Sequence, residues 1–347
     1  MKKSVLFSIT FVLLVALSIF IIANNAKNFS WDIFWESIVE SKKVFLILAL
    51  VFMAGFIVFE GLALRTLTIG LLGKRPVKRI RGMLYSAADI YFSAITPSAT
   101  GGQPASAFFM MADGIPGGIT TIILLVNLIM YTVAIMFLGL VAVAFRPGFY
   151  LDFSLVSKIL IVIGYVILGG FFFLFIMLIR HPSAVRKIAE VLIKIGVKLH
   201  IVKHPEKIHR KLDKMMEDYH ECITIVSGKF SLLVKAFILN LLQRLSQILV
   251  TVCVYLAMEG SIKRAFDVLI AQIYTVVGSN SVPIPGSIGV SDYVLIDALG
   301  NVLGLENAAS LELVSRGISF YVCVVISGIT IALGYLLYKK KKTGVEE

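Results

Sequence analysis

Long uninterrupted runs of apolar residues constrain this chain more than any other feature of its sequence. An α-helix needs about 20 apolar residues to cross the ~30 Å hydrocarbon layer of a bilayer. Hydrophobic residues make up 58% of the chain and charged residues only 16%, which is outside the range of soluble globular domains. We therefore expect an all-α polytopic membrane protein, with a single membrane domain over residues 1–347. The predicted spanning helices are Ser4–Ala23, Val44–Ala63, Gly118–Phe145, Val156–Ile179, Phe230–Met258 and Ser315–Tyr338.

Basic residues are concentrated in four segments, and their distribution predicts the orientation of the chain. The segments are residues 2–3, 74–81, 180–214 and 339–342. Short cytoplasmic loops are enriched in Lys and Arg, so we expect all four segments and both termini on the cytoplasmic side of the cell membrane. Alternating Lys and apolar residues within 180–228 predict a basic amphipathic segment on the inner leaflet. This placement accounts for the net charge of +12, so we expect no nucleic-acid partner.

Two further apolar segments, 83–112 and 268–300, fit this orientation only as re-entrant helical hairpins. Each must return to the side from which it entered if the four basic segments are to share one side. Each is also interrupted, the first by TPSATGGQP at 96–104 and the second by PIPGSIG at 283–289. The resulting arms are too short to span the hydrocarbon at 1.5 Å per residue. The sequence leaves one alternative open, in which eight or more helices span fully and are kinked at Pro and Gly.

The two interruptions predict a substrate site where the hairpins meet. Non-helical backbone at membrane depth is tolerated only where protein or a wet cavity covers it, and transporters place their substrate sites at such breaks. The half-helices that follow the breaks begin with free N–H groups, which suit an anionic headgroup or phosphate. The candidate residues in the two breaks are Pro97, Ser98, Thr100, Gly101, Gly102, Gln103, Pro104, Pro283, Pro285, Gly286, Ser287 and Gly289.

A polar stripe in the helix that begins at Phe230 supplies further candidates. Asn240, Gln243 and Arg244 lie at i, i+3 and i+4 and therefore share one helical face. A charge at the bilayer centre costs about 2.5–3.5 kcal/mol unless it is paired or wet, so this face should point inward. Arginine can bind a phosphate through two hydrogen bonds. Alternatively, Arg244 pairs with Asp89 or Asp292, which are candidate site residues themselves.

Glu60, Arg65 and Arg316 are possible supporting residues. Each interrupts an otherwise apolar segment. Arg65 and Arg316 lie near predicted helix ends, where a long basic side chain can extend its charge to the membrane surface. For these two residues an interfacial position is the alternative to a role in the site.

Two stretches resemble the signatures of a known family. TPSATGGQPASAFFM at 96–110 and VPIPGSIGVSD at 282–292 are similar to the two motifs of the lysylphosphatidylglycerol synthase transmembrane-region family, also described as the flippase-like domain family. The resemblance extends over nearly the whole chain. It implies an all-helical membrane fold and the translocation of lipids such as aminoacylated phosphatidylglycerol or polyisoprenyl-linked sugars.

This sequence departs from the family pattern in two respects. The second motif ends in Asp292 where the family usually has Glu, which shortens the carboxylate side chain by one methylene. Full-length synthases carry a soluble aminoacyl-transfer domain after the membrane part, whereas this sequence ends at Glu347. We therefore expect no synthase reaction.

These observations favour a lipid transporter. We expect it to move an anionic phospholipid or a polyisoprenyl-linked glycolipid between leaflets through a polar midplane cavity, with membrane lipids as its partners. One alternative is a membrane-embedded lipid-modifying enzyme that uses Asp89 with Asp292, and another is an accessory subunit of a lipid- or glycan-synthesis complex. The spacing of His200 and His204 is followed at once by Pro205 and has no convincing acidic or Cys partner. We expect no metal, no cofactor and no catalytic residue.

Overall fold

A computed structural model describes residues 38–73, 77–96, 100–180, 228–258, 260–280, 282 and 284–343, together with Trp35 and scattered single residues between 183 and 226. Several predictions fall outside these residues. They are the first helix Ser4–Ala23, most of the amphipathic segment 180–228, and the candidates Pro97, Ser98 and Pro283.

The described part of the chain is helical and contains no β-strand. Two 3-10 turns, Pro147–Asp152 and Pro285–Ser287, and one π-helical turn, Gly317–Val322, separate some of the α-helices. The α-helices are α1 (Lys43–Leu72), α2 (Arg79–Ile95), α3 (Gly102–Ala112), α4 (Gly117–Phe145), α5 (Leu155–Arg180), α6 (Phe230–Ala257), α7 (Ile262–Ser279), α8 (Val290–Leu303), α9 (Leu305–Arg316) and α10 (Cys323–Thr343).

Within the described ranges, five helical segments are long and apolar enough to cross a membrane. They are Lys43–Leu72, Gly117–Phe145, Leu155–Met177, Phe230–Ala257 and Leu305–Tyr335. They correspond to the second through sixth predicted spans, so the prediction of an all-helical polytopic membrane protein is confirmed.

The last of these segments is composite, because α9, the π-helical turn and α10 follow one another without a loop. It begins ten residues earlier than the predicted start at Ser315. Hydropathy does not detect α9, because this helix buries polar residues such as Ser310 and Glu312 within the protein.

Helices α2 and α3 form one antiparallel hairpin and α7 and α8 form another. In the first, the Tyr85 hydroxyl donates to Asp113 Oδ2 (2.6 Å) at the open end, and Gly101 N donates to Thr96 Oγ1 (2.9 Å) at the tip. The helices have 17, 11, 18 and 14 residues. At 1.5 Å per residue they measure about 26, 17, 27 and 21 Å, all shorter than the ~30 Å hydrocarbon layer.

The two hairpins enter the helix bundle from opposite ends. The chain that leads into α2 is bound at the end of α1, where Arg65 Nε donates to the Val77 carbonyl (2.7 Å). The open end of the α7–α8 hairpin lies where α4 ends, since Arg146 Nη2 is 2.9 Å from Asp267 Oδ1. Helices α1 and α6 are antiparallel, with Lys42 N donating to the Ala257 carbonyl (2.8 Å). The end of α6, from which the chain continues into α7, therefore lies beside the start of α1, whereas α2 follows the end of α1 at the opposite end of the bundle.

A pair of glycines sets how closely α1 approaches α2. A β-carbon on Gly61 would lie 3.0 Å from the backbone of Gly82, and one on Gly82 would overlap the Gly61 carbonyl oxygen. Small residues at a helix crossing allow the two backbones to come this close. Gly82, Ser86 and Asp89 recur at i, i+4 and i+7, so the same face of α2 brings a hydroxyl and a carboxyl beside Glu60 of α1.

Candidate functional site

The two hairpin tips border a single cavity of about 860 Å³. Thr100, Gln103 and Pro104 line it from the first tip, and Asn280, Val282, Ile284, Gly286 and Ser287 line it from the second. Helices α1, α2, α4, α5, α6, α9 and α10 and the π-helical turn complete the wall. The cavity is thus built from segments that are distant in sequence, and both interruptions contribute to it.

Two carboxyl groups on neighbouring helices line the same wall of the cavity, one of them buried and the other partly buried. Glu60 of α1 and Asp89 of α2 lie close enough to interact electrostatically with each other. Glu60 Oε2 also accepts from Gln243 Nε2 (3.0 Å) and from the Ser86 hydroxyl (3.3 Å). The Ser93 hydroxyl donates to Asp89 Oδ1 (3.1 Å). Both side chains are therefore fixed by α2 and α6 rather than free to move through the cavity.

Arg244, next to Gln243 on α6, also lines the cavity and is nine-tenths buried. Its guanidinium group stacks over the Tyr131 ring at 4.0 Å and approaches the Phe56 ring at 5.5 Å. Nη1 donates to Gln247 Oε1, while Nε has no hydrogen-bond partner in the described part of the chain. Arg244 also forms no ion pair with any described carboxylate. A buried guanidinium with an unused donor suits an anion.

The polar stripe of α6 faces the protein interior over its whole length. Asn240 is fully buried and donates to Asn127 Oδ1 of α4 (3.0 Å), while Gln243 and Arg244 reach the cavity. Asn240 itself does not line the cavity. It connects α6 to α4 one turn away from Arg244.

A second charged cluster holds the tip of the other hairpin. Arg316, at the end of α9, forms ion pairs with Asp292 of α8 and with Glu312 (Nε–Oε1 3.4 Å). It also donates to the Gly286 carbonyl (3.2 Å) and to the Ser291 hydroxyl. Arg316 lines the cavity but is only 8% exposed, so it is not the interfacial residue that its sequence position allowed. Asp292 pairs with Arg316 rather than with Arg244.

Both half-helix N-termini already have a carboxylate beside them. Gly289 N donates to Asp292 Oδ2 (2.9 Å) at the start of α8. At the start of α3, Gly102 lies against the carboxyl group of Asp89 and the hydroxyl of Ser93, with no room for a side chain. A bound carboxylate offsets the partial positive charge at the start of a helix. The two N-termini are therefore less suited to a headgroup anion than expected, and the basic side chains that line the cavity are better suited.

The remaining candidates support the tips or lie away from the cavity. Gly101 donates to Thr96 and shapes the first tip, while Gly286 and Gly289 have positive φ values (60° and 84°) that favour glycine in the second tip. Pro285 belongs to the 3-10 turn. Arg65 does not line the cavity. Its side chain binds the Val77 carbonyl near the end of α1 instead.

Helix α4 supplies site residues that the sequence did not indicate. Asn127, Tyr131 and Thr132 line the cavity, and the Tyr131 hydroxyl donates to Asn280 Oδ1 (2.6 Å) at the second tip. These residues carry no charge and lie singly in an apolar run, so hydropathy does not distinguish them. Their i, i+4, i+5 spacing on one helical face was the available signal.

The wall formed by α5 is entirely apolar. Ile167, Leu168, Phe171 and Phe175 line the cavity, and Phe171 keeps half of its surface exposed. The cavity therefore has a polar side on α1, α2 and α6 and an apolar side on α5, which reaches the outer apolar surface. This distribution matches an amphiphile better than a fully polar solute.

Comparisons with known proteins bear on the family. No curated protein and no solved structure gave a significant match to this chain. The sequence model of the family described as "Lysylphosphatidylglycerol synthase TM region" matches residues 5–327 of the 347. The match includes both interrupted hairpins and every charged residue that lines the cavity. The chain therefore belongs to the lysylphosphatidylglycerol synthase TM region family.

Proposed function

We propose that this protein moves lipids with a phosphate-bearing anionic headgroup, either an anionic phospholipid or a polyisoprenyl-linked glycolipid, between the two leaflets of a membrane. One observation carries the proposal. A single cavity is bounded by both hairpin tips, has the buried cation Arg244 on its polar side and has an apolar wall on α5. Membership of a membrane lipid-related family supports the choice of substrate class.

The cavity suits a headgroup whose tails remain in lipid. Arg244 offers an unused Nε donor, and Gln103 and Thr100 add polar groups from the first tip. A charge-assisted hydrogen bond to a phosphate is about twice as strong as a neutral one. Meanwhile the exposed side of Phe171 gives the acyl or prenyl chains an apolar path out of the cavity. The headgroup thus avoids hydrocarbon during its crossing, and no tail has to enter the polar side.

The hairpins give this cavity a means of alternating access. Both are shorter than the hydrocarbon layer and enter from opposite ends, so we place them as re-entrant elements with their tips near the midplane. Small movements of one tip relative to the other would open the cavity toward one leaflet and close it toward the opposite leaflet. We place both termini in the cytoplasm and the protein in the cell membrane, because this orientation puts the four basic segments on one side.

A leaflet-transfer assay tests the proposal. The purified chain is reconstituted into phosphatidylcholine vesicles with a tail-labelled fluorescent phosphatidylglycerol, and a membrane-impermeant quencher reports the label in the outer leaflet. We expect rapid access to the inner-leaflet label. Replacing Arg244 with Gln removes one charge-assisted contact of about 1.5–3 kcal/mol, so transfer should slow by about 10- to 100-fold.

The matched control is Arg264→Gln, because Arg264 is exposed and only donates to the Val302 carbonyl (2.9 Å). Its transfer rate should equal that of the native chain. Translocation through this cavity is refuted if protein-free vesicles transfer the lipid as fast as vesicles with the native chain. It is also refuted if Arg244→Gln transfers the lipid as fast as the native chain. Mass spectrometry of the recovered lipid distinguishes a transporter from a lipid-modifying enzyme, since only an enzyme would change the headgroup.

A further inference from the structure

Translocation of a headgroup bound at Arg244 does not by itself require the carboxyl groups of Glu60 and Asp89. Two ionised carboxylates that lie this close repel each other, and one shared proton removes the repulsion and lets one carboxyl group donate to the other. Glu60 and Asp89 line one cavity together with Arg244, which forms no ion pair with a described carboxylate, so a pair that holds one proton and carries one negative charge balances that cation. Ser86 and Gln243 donate to Oε2 of Glu60, and Ser93 donates to Oδ1 of Asp89.

The charges that face this pair can be counted from every element packed around it. Helix α6 contributes Arg244, whose charge attracts Glu60, and Gln243, which is neutral. Helix α4 contributes the neutral phenol of Tyr131, and α10 contributes the thiol of Cys323. With one shared proton, the pair and Arg244 sum to zero. The other buried cation, Arg316, is compensated separately by Asp292 and Glu312.

A phosphate diester headgroup disturbs this balance. When it binds at Arg244 it adds one negative charge to the buried site. The site returns to neutrality if the ionised carboxylate of the pair takes one proton from water and forms a second O–H bond. Buried net charge is costly because the surroundings solvate it poorly, so the protonated pair and the bound anion stabilise each other.

We propose that Glu60 and Asp89 form a proton-binding site coupled to the headgroup site, so that the protein moves an anionic lipid together with one proton. The proton enters from water on the loading side and returns to water on the releasing side, when the headgroup leaves and the pair again shares one proton. Transport is electroneutral and moves lipid and proton in the same direction. This inference rests on the proposed function and adds its energy coupling.

Proton uptake on binding tests the coupling directly. Detergent-solubilised full chain is titrated with short-chain phosphatidylglycerol in buffers that differ in ionisation enthalpy, and the difference in heat gives the number of protons taken up. We expect about one proton per lipid bound, with an affinity that falls about tenfold per pH unit above the range in which the second proton binds. Short-chain phosphatidylcholine, whose headgroup has no net charge, should cause no uptake.

The variants distinguish this pair from other titrating groups. Glu60→Gln with Asp89→Asn together should abolish the uptake and leave binding independent of pH. Either single variant keeps one carboxylate in the same cavity as Arg244 and should still take up a proton. Asp267→Asn, which removes an ion-paired carboxylate outside the cavity, should behave like the native chain.

The outcomes separate the coupling from translocation. If native protein binds phosphatidylglycerol without proton uptake, the coupling is wrong whether or not the double variant folds. The same holds if the double variant takes up as many protons as the native chain. Translocation without uptake overturns the coupling alone, whereas a native protein that neither binds nor moves the lipid overturns the proposed function and the coupling with it. Proton uptake with glycerophosphoglycerol, the same phosphate diester headgroup without tails, would indicate a site for soluble anions instead of lipids.

Discussion

Replacing Arg316 with Met should destabilise the protein severely, because it leaves two buried carboxylates without their cation. Arg316 is the shared partner of Asp292, which is fully buried, and of Glu312, and it also binds the Gly286 carbonyl. Removing one partner of a buried ion pair typically costs about 3–5 kcal/mol, whereas an exposed pair contributes about 0–1 kcal/mol. Met retains much of the side-chain length, so the change tests charge rather than volume.

The ion pair between Arg146 and Asp267 provides the matched control. The side chain of Arg146 is 50% exposed where that of Arg316 is 9% exposed, although both are arginines paired with an aspartate. Arg146→Met should therefore change the free energy of unfolding by less than about 1 kcal/mol. Adding Asp292→Asn to Arg316→Met removes one of the stranded charges and should recover about 1–3 kcal/mol.

Buried thiols make this measurable. Cys253 and Cys323 are 4% and 2% exposed, so a thiol-reactive dye reports their exposure when the protein unfolds in a denaturing detergent titration. Cys222 is replaced with Ser in every variant so that only these two report. If Arg316→Met costs no more than Arg146→Met, or if Asp292→Asn further destabilises it, the cluster does not hold the hairpin through charge compensation.

Two further predictions concern packing and access. Gly82→Ala should lower the free energy of unfolding by about 1–3 kcal/mol, because its methyl group would push α1 away from α2. Gly118→Ala, where no atom of the described residues lies within 4 Å, should change it by less than about 1 kcal/mol. An equal effect of both in the same detergent titration would contradict the close crossing. In a Cys-free background, Ser319→Cys on the cavity wall should react with a small water-soluble thiol reagent and Leu295→Cys, fully buried elsewhere, should not. Mass spectrometry measures the modification, and an unreactive Ser319→Cys would contradict a cavity accessible to water.

Much of the candidate site could be predicted because its parts lie where the sequence is locally unusual. Gln103 and Ser287 stand in the two breaks, and Gln243 with Arg244 forms a polar stripe in an apolar helix; all four line the cavity. The neutral polar residues of α4 could not be found in this way, because single hydroxyls and amides are common in membrane helices. The basic segment 180–228 remains a prediction, because most of it lies outside the described residues.

The sequence left open which charged residues pair with one another. Arg244 could have paired with Asp89 or Asp292, yet it stacks on Tyr131, and Asp292 binds Arg316 instead. Position along a helix does not settle such choices. They depend on the rotation and the height at which two helices cross.

The sequence by itself determined that this chain is an all-helical membrane protein, where five of its spans lie and where two apolar segments break. These properties are local, because run length, Pro and Gly act within a few residues of their own position. Only the tertiary structure decided that the breaks share one cavity and that Glu60 meets Asp89. That contact requires α1 and α2 to approach closely at Gly61 and Gly82, and a close approach is a property of two helices together.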